Sequence, residues 1–204
     1  MSSDSVNAQG RVERKKEETK KKIIAVALDL IREQGLDGTT MEQIARKADI
    51  AKGTLYNYFP AKEAIVDEYI KRSFKENNFQ RVEQLRKSPD TRSRMTMIFK
   101  ELLKGVQRQK ELFEKHITYR MQSFMSFKQE DSEKSGLYML AHEIISLGQE
   151  NSEIRTDMPY YILEDMFDFA FMIVVKQLYI EGESFDEDKA IGQGAELFIK
   201  AVGY

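Results

Sequence analysis

Residues 40–59 read TMEQIARKADIAKGTLYNYF, and the fold turns on them. Thr40 followed three residues later by Gln43 is a capping-box pattern, which opens a short helix running to Lys47. Ala48, Asp49 and Ile50 interrupt it. A second short helical segment then runs to Phe59 and stops at Pro60, because proline pushes the preceding residue away from helical angles. Two short helices joined by so brief a turn make a helix-turn-helix. Ile44 and Ala45 are expected to face the partner helix, the small Ala45 letting the two axes approach. Asp49 sits where the turn needs left-handed backbone, which Gly suits best and Asp tolerates. Ile50 and Leu55 close the interface. The second helix is left with an outer surface of Lys52, Gly53, Thr54, Tyr56, Asn57 and Tyr58. A helix with that polar, aromatic-rich face fits a DNA major groove, its N-terminal residues at the base edges.

Outward from this segment the pattern stays helical. Residues 1–14 are polar, carry no periodicity and read as a flexible arm. From Lys15 onward, Ile24, Ala27, Leu28 and Ile31 fall at i, i+3, i+4 and i+7, and Gly35 supplies the stop. Downstream of Pro60, residues 61–87 read as one long helix ending at Ser88-Pro89. Further helical patterns cover 91–109, 111–129, 135–149, 160–181 and 186–202, with breaks at Pro159 and Gly182. Nothing reads as a strand or a repeat. The expected fold is all-α: a three-helix helix-turn-helix domain over 15–62, then a larger helical domain over 63–204.

Composition narrows the function. The 204 residues are 41% apolar and 32% charged, a folded rather than disordered composition. There is no Cys, and His116 and His142 are the only histidines, which removes thiolate chemistry and any three-His zinc site. The motifs of the common nucleophilic, phosphate-binding and metalloprotease sites are missing, so no enzyme, catalytic residue, metal or cofactor is expected. No run approaches the roughly 18 apolar residues of a spanning helix, and no signal-peptide core opens the chain, so a cytoplasmic protein without a membrane partner is expected. Residues 1–62 hold 12 Lys and Arg against 9 Asp and Glu; the remainder holds 20 against 25. A basic N-terminal third on an acidic body suits a polyanion at one end.

The stretch from Gly35 to Ala64 resembles the DNA-binding domain of TetR-family transcriptional regulators. Thr39-Thr40, Ile44-Ala45, Lys52-Gly-Thr-Leu-Tyr56, Tyr58-Phe59 and Lys62-Glu63 all stand at that family's spacing, behind an amphipathic helix that ends in Gly. The resemblance covers about residues 17–77. It implies a sequence-specific DNA-binding regulator, most commonly a homodimeric repressor that a small molecule releases from its operator. An activator, or a ligand-independent DNA-binding adaptor, is the alternative on the same fold. It also implies that Thr40 caps its helix near a phosphate, that Lys52, Gly53, Thr54 and Asn57 face the groove, and that Gly53 permits close approach. Tyr56, Tyr58 and Lys62 are then expected to reach phosphates. Three positions depart from the family's pattern: Asp49 stands for Gly, Ala51 for Ser, and Ala61 for Ser or Asp. Losing an N-cap typically costs ~1 kcal/mol.

Beyond residue 77 no motif appears, but Met and Phe are dense, which suits an adaptable apolar cavity as well as an ordinary core. Phe113, His116, Tyr119, Phe124, Phe171 and Tyr179 are the expected lining for an apolar or amphipathic effector. The segment from Tyr160 to Glu181 is apolar on nearly every face, so it should be buried on two sides. With the segment from Asp186 to Val202 it is expected to form a four-helix homodimer interface. Such a dimer reads a near-palindromic duplex with half-sites ~34–36 Å apart.

Overall fold

The computed structural model describes residues 3–76, 78–125 and 136–203, with side chains described from Gly10 on and not over 120–125. Ten α-helices follow in chain order among these residues, and no strand. They are α1 (Ser3–Gly38), α2 (Met41–Lys47), α3 (Lys52–Tyr58), α4 (Lys62–Lys75), α5 (Asn78–Lys87), α6 (Thr91–Arg108), α7 (Lys110–Met125), α8 (Gly136–Glu150), α9 (Tyr160–Glu181) and α10 (Glu187–Val202). The chain packs into two compact units. One comprises the described residues up to Ile70 with α7 from Leu112 onward; the other comprises Lys71–Glu111 and the described residues from Gly136.

Two expected boundaries differ. Residues 3–14, expected as an arm, are already helical within α1. They contain Glu, Arg and Gln and no proline, so a helix can extend through them although residues 10–18 bury nothing. The helix expected over 61–87 is two helices, α4 and α5. Arg81 explains the break: its guanidinium donates to the carbonyls of Phe74 at 3.0 Å and Glu76 at 2.8 Å, satisfying the open end of α4. The buried Asn78 amide donates to Gly136 O at 2.9 Å.

In the first unit, Ile23, Ala27, Ile44, Leu55 and Ile65 are fully buried in one cluster. α7 belongs to this unit because Leu112 and Tyr119 pack on that cluster. The helix therefore does not group with the later helices that precede and follow it in sequence.

The second unit is built around aromatic rings. Phe99 of α6 meets Phe167 and Phe171 of α9 at 5.2 and 5.3 Å, and Phe167 meets Phe198 of α10 at 5.8 Å, all tilted or edge-on. Asp90 caps α6 through Ser93 N at 2.7 Å, and Asp186 caps α10 through Lys189 N at 3.0 Å. Arg94, buried, ties the end of α5 by donating to Leu85 O and Ser88 O. Where α10 crosses α9, Gly194 leaves no room: a Cβ would stand 2.5 Å from Val174 Cγ2 and 3.2 Å from Ala170 O. Gly194→Ala is therefore expected to cost about 1–3 kcal/mol, read as a lower urea midpoint at unchanged m-value.

Candidate nucleic-acid interface

The approach to the helix-turn-helix is set by a glycine. Gly35 takes φ 75° and ends the regular helix of α1, and the buried Thr39 hydroxyl donates to Gly35 O at 2.8 Å. Thr40 then opens α2 with the reciprocal capping box read from the sequence. Its Oγ1 accepts from Gln43 N at 3.2 Å, and Gln43 Oε1 accepts from Thr40 N at 2.8 Å. The hydroxyl proton goes to Gln43 Oε1, 3.1 Å away, leaving Thr40 Oγ1 an acceptor while the box is closed.

The turn behaves as its residues require. Asp49 has φ 53°, the left-handed value expected, and Ile50 N donates to Ala45 O at 3.0 Å. Ile44, Ala45, Ala48 and Leu55 are buried, and Ile50 packs partly buried against them. Ala51 gives α3 no side-chain cap. Leu55 is the buried residue of α3, so Lys52, Gly53, Thr54, Tyr56 and Asn57 form a contiguous exposed surface. Gly53 is not imposed by the fold. Its φ lies outside the left-handed range and a Cβ there meets nothing within 4 Å.

Tyr58 and Lys62 have partners within the first unit. Tyr58 packs half-buried against the hydrophobic cluster. Lys62 Nζ reaches back to the end of α1 and donates to Leu36 O at 2.7 Å and Thr39 O at 3.1 Å, with Asp37 O at 3.5 Å. Its ammonium is thus the cap of an open helix end, the favoured place for a cation. Lys62→Met is expected to destabilise the first unit by about 1.5–3 kcal/mol in urea unfolding. A lysine serving only a phosphate would leave stability unchanged.

Glu42, which the sequence did not single out, faces α3 across the turn. Its carboxylate pairs with Lys52 Nζ, which also stands 5.9 Å from the Tyr56 ring centroid. The hydrogen bond from that ammonium holds the Glu42 carboxyl below its ordinary pKa, and Glu42 in turn raises that of Lys52. Ten residues separate the two in sequence, so only the helix-turn-helix geometry could have paired them.

The expected effector lining is divided between the units. Phe113 and His116 are buried in the first unit, their rings 5.4 Å apart, and Tyr119 is half-buried there. His116 Nδ1 lies 2.9 Å from Asp67 Oδ1 of α4. Phe171 and Tyr179 belong to the second unit. Phe171 is in the aromatic core, and Tyr179 donates its hydroxyl to Lys110 O. The Phe124 side chain lies outside the described residues. Among the described residues no His/Asp/Glu group has a metal-binding arrangement, and no helix is long and apolar enough to cross a membrane.

The geometry over Met41–Tyr58 defines a helix-turn-helix protein of the all-α class. Residues 23–69 match the family described as "Bacterial regulatory proteins, tetR family". The chain is 32% identical over 94 residues to the HTH-type transcriptional repressor KstR of Rhodococcus jostii, covering 45% of this chain and 42% of that protein. It is 40% identical over 65 residues to the HTH-type transcriptional regulator RutR of Escherichia coli K12, covering 32% of this chain and 31% of that one. The chain thus spans well under half the length of these curated relatives. The solved structure of Thermus thermophilus FadR, a TetR-family transcriptional repressor in complex with lauroyl-CoA, superimposes with a TM-score of 0.68 at 20% identity. That match covers 88% of this chain and 92% of the other. Residues 23–69 are thus similar to the segment that defines the tetR family, and the solved structure shares the overall fold.

Proposed function

We propose that the protein is a sequence-specific DNA-binding regulator, a homodimeric repressor released from a near-palindromic operator by an apolar or amphipathic small molecule. The observation that carries the reading is the exposed face of α3. A seven-residue helix that buries Leu55 presents Lys52, Gly53, Thr54, Tyr56 and Asn57 outward, with a glycine that the fold does not require. Polar donors and acceptors on a narrow helix are what base edges in a major groove can read.

Dimerisation is supported by α9 and α10. Opposite its buried side, α9 carries Ile162, Met166, Phe169 and Ile173 at i, i+4, i+7 and i+11, continued by Ile180, with Leu197 exposed on α10. An effector with an apolar part is in keeping with the lauroyl-CoA held by the similar FadR fold. α7 supplies a route for its influence: its residues from Leu112 pack with the helix-turn-helix, and only Gln109 separates it from α6 of the other unit. A coupling of ~1–3 kcal/mol would weaken DNA binding about 5–150-fold. Selection of bound duplexes from a random pool tests the reading. Enrichment of one near-palindromic sequence supports it, and a pool that stays random sinks it.

A further inference from the structure

Lys52 opens α3 at the end where the helix dipole repels a cation and where Ala51 provides no cap. What holds it there is Glu42, in the first turn of α2, where a carboxylate is favoured. Both side chains are more than half exposed, so the pair does little for the fold. It lies beside the exposed face that carries Thr54, Tyr56 and Asn57, and the Lys52 ammonium stands over the Tyr56 ring, 5.9 Å from its centroid.

We propose that Glu42 is a specificity-determining residue of the DNA interface, one that withholds the Lys52 ammonium from phosphates and yields it to a G·C base pair. The proposal rests on the DNA-binding reading above. An unpaired lysine at the leading end of a groove helix would neutralise a phosphate of any sequence, adding affinity without information. With Glu42 in place, a phosphate must displace the carboxylate and leave it unpaired against a polyanion. A G·C pair avoids that penalty. Guanine O6 and N7 accept from Lys52 while the cytosine N4 amino group donates to Glu42, so both charges exchange one partner for another. The pair thus penalises wrong sites more than it strengthens the right one.

The experiment uses the full chain and its Glu42→Gln and Glu42→Asp variants. Each is titrated with the duplex selected by the wild-type protein and with a scrambled duplex over a range of salt. Glu42→Gln is expected to bind the scrambled duplex more tightly, with a salt slope steeper by ~0.9 for the one phosphate gained. The ratio of selected to scrambled affinity should fall roughly tenfold, the scale of one base contact. Repeating the pool selection should show one G·C position fixed by the wild-type protein and relaxed by Glu42→Gln. Glu42→Asp keeps the carboxylate and should keep the ratio. Equal tightening on both duplexes, or an unchanged scrambled affinity, overturns this proposal alone. Wild-type protein that enriches no sequence overturns the DNA-binding reading beneath it.

Discussion

Phe169→Asp with Ile180→Asp is expected to leave a monomer in sedimentation at micromolar concentration and to lower operator affinity by roughly 10²–10⁴-fold. Both residues lie on the outer side of α9, with 66% and 72% of their surface exposed in the single chain. Placing carboxylates there removes nothing from the aromatic core of the second unit, so the helical circular dichroism should persist. Across a twofold interface each substitution occurs twice, and like charges meet on a face otherwise built of Ile162, Met166 and Ile173. The loss of DNA affinity follows from linkage rather than from any lost base contact. Two half-sites bound by one dimer share a high effective concentration, which separate protomers lack. The melting temperature should also cease to depend on protein concentration. A variant that remains dimeric would move the interface elsewhere.

The elements read correctly from the sequence are those whose causes are local. Thr40 and Gln43 cap within one turn, Asp49 can hold φ 53° unaided, and Gly35 ends α1 by its own backbone. The break between α4 and α5 has no such signal. It depends on Arg81 turning back to Phe74 and Glu76, and on Asn78 bonding a carbonyl 58 residues away. Lys62 carries the same lesson. The carbonyls that engage it lie 23 to 26 residues earlier, at a helix end that local periodicity cannot bring near. The exposed α3 residues were legible because a short helix with one apolar anchor leaves few choices of face. Which helix packs on which is not legible from Met and Phe at helical spacing. Phe113, His116 and Tyr119 belong to the unit that holds the helix-turn-helix, and Phe171 to the aromatic core. Glu42 gives no local signal because its meaning is relational: one carboxylate in α2 is ordinary until the turn sets it against Lys52.

Gly53→Ala is expected to make the protein more stable and to weaken its selective DNA binding, two effects of opposite sign from one methyl group. Glycine inside a helix costs roughly 0.5–1 kcal/mol relative to alanine, through the freedom it must give up on folding. Nothing within 4 Å of the absent Cβ, and no left-handed φ, offsets that cost in the free protein. The alanine variant should therefore gain about that much, seen as a melting temperature higher by about 1–4 °C. On the duplex the same open space is where bases would lie. A methyl group at the second position of α3 holds the helix off the groove floor, so contacts from Thr54 and Asn57 lengthen together. Operator affinity should drop about 10–100-fold, the scale of one or two base contacts. Affinity for a scrambled duplex and its salt slope should stay as they were, since no phosphate-binding charge is touched. The stability gain tests the fold and the affinity loss tests the function, so the two can fail separately. If Gly53→Ala is stabilised yet holds the operator as tightly as before, the base-reading surface is not the N-terminal turn of α3.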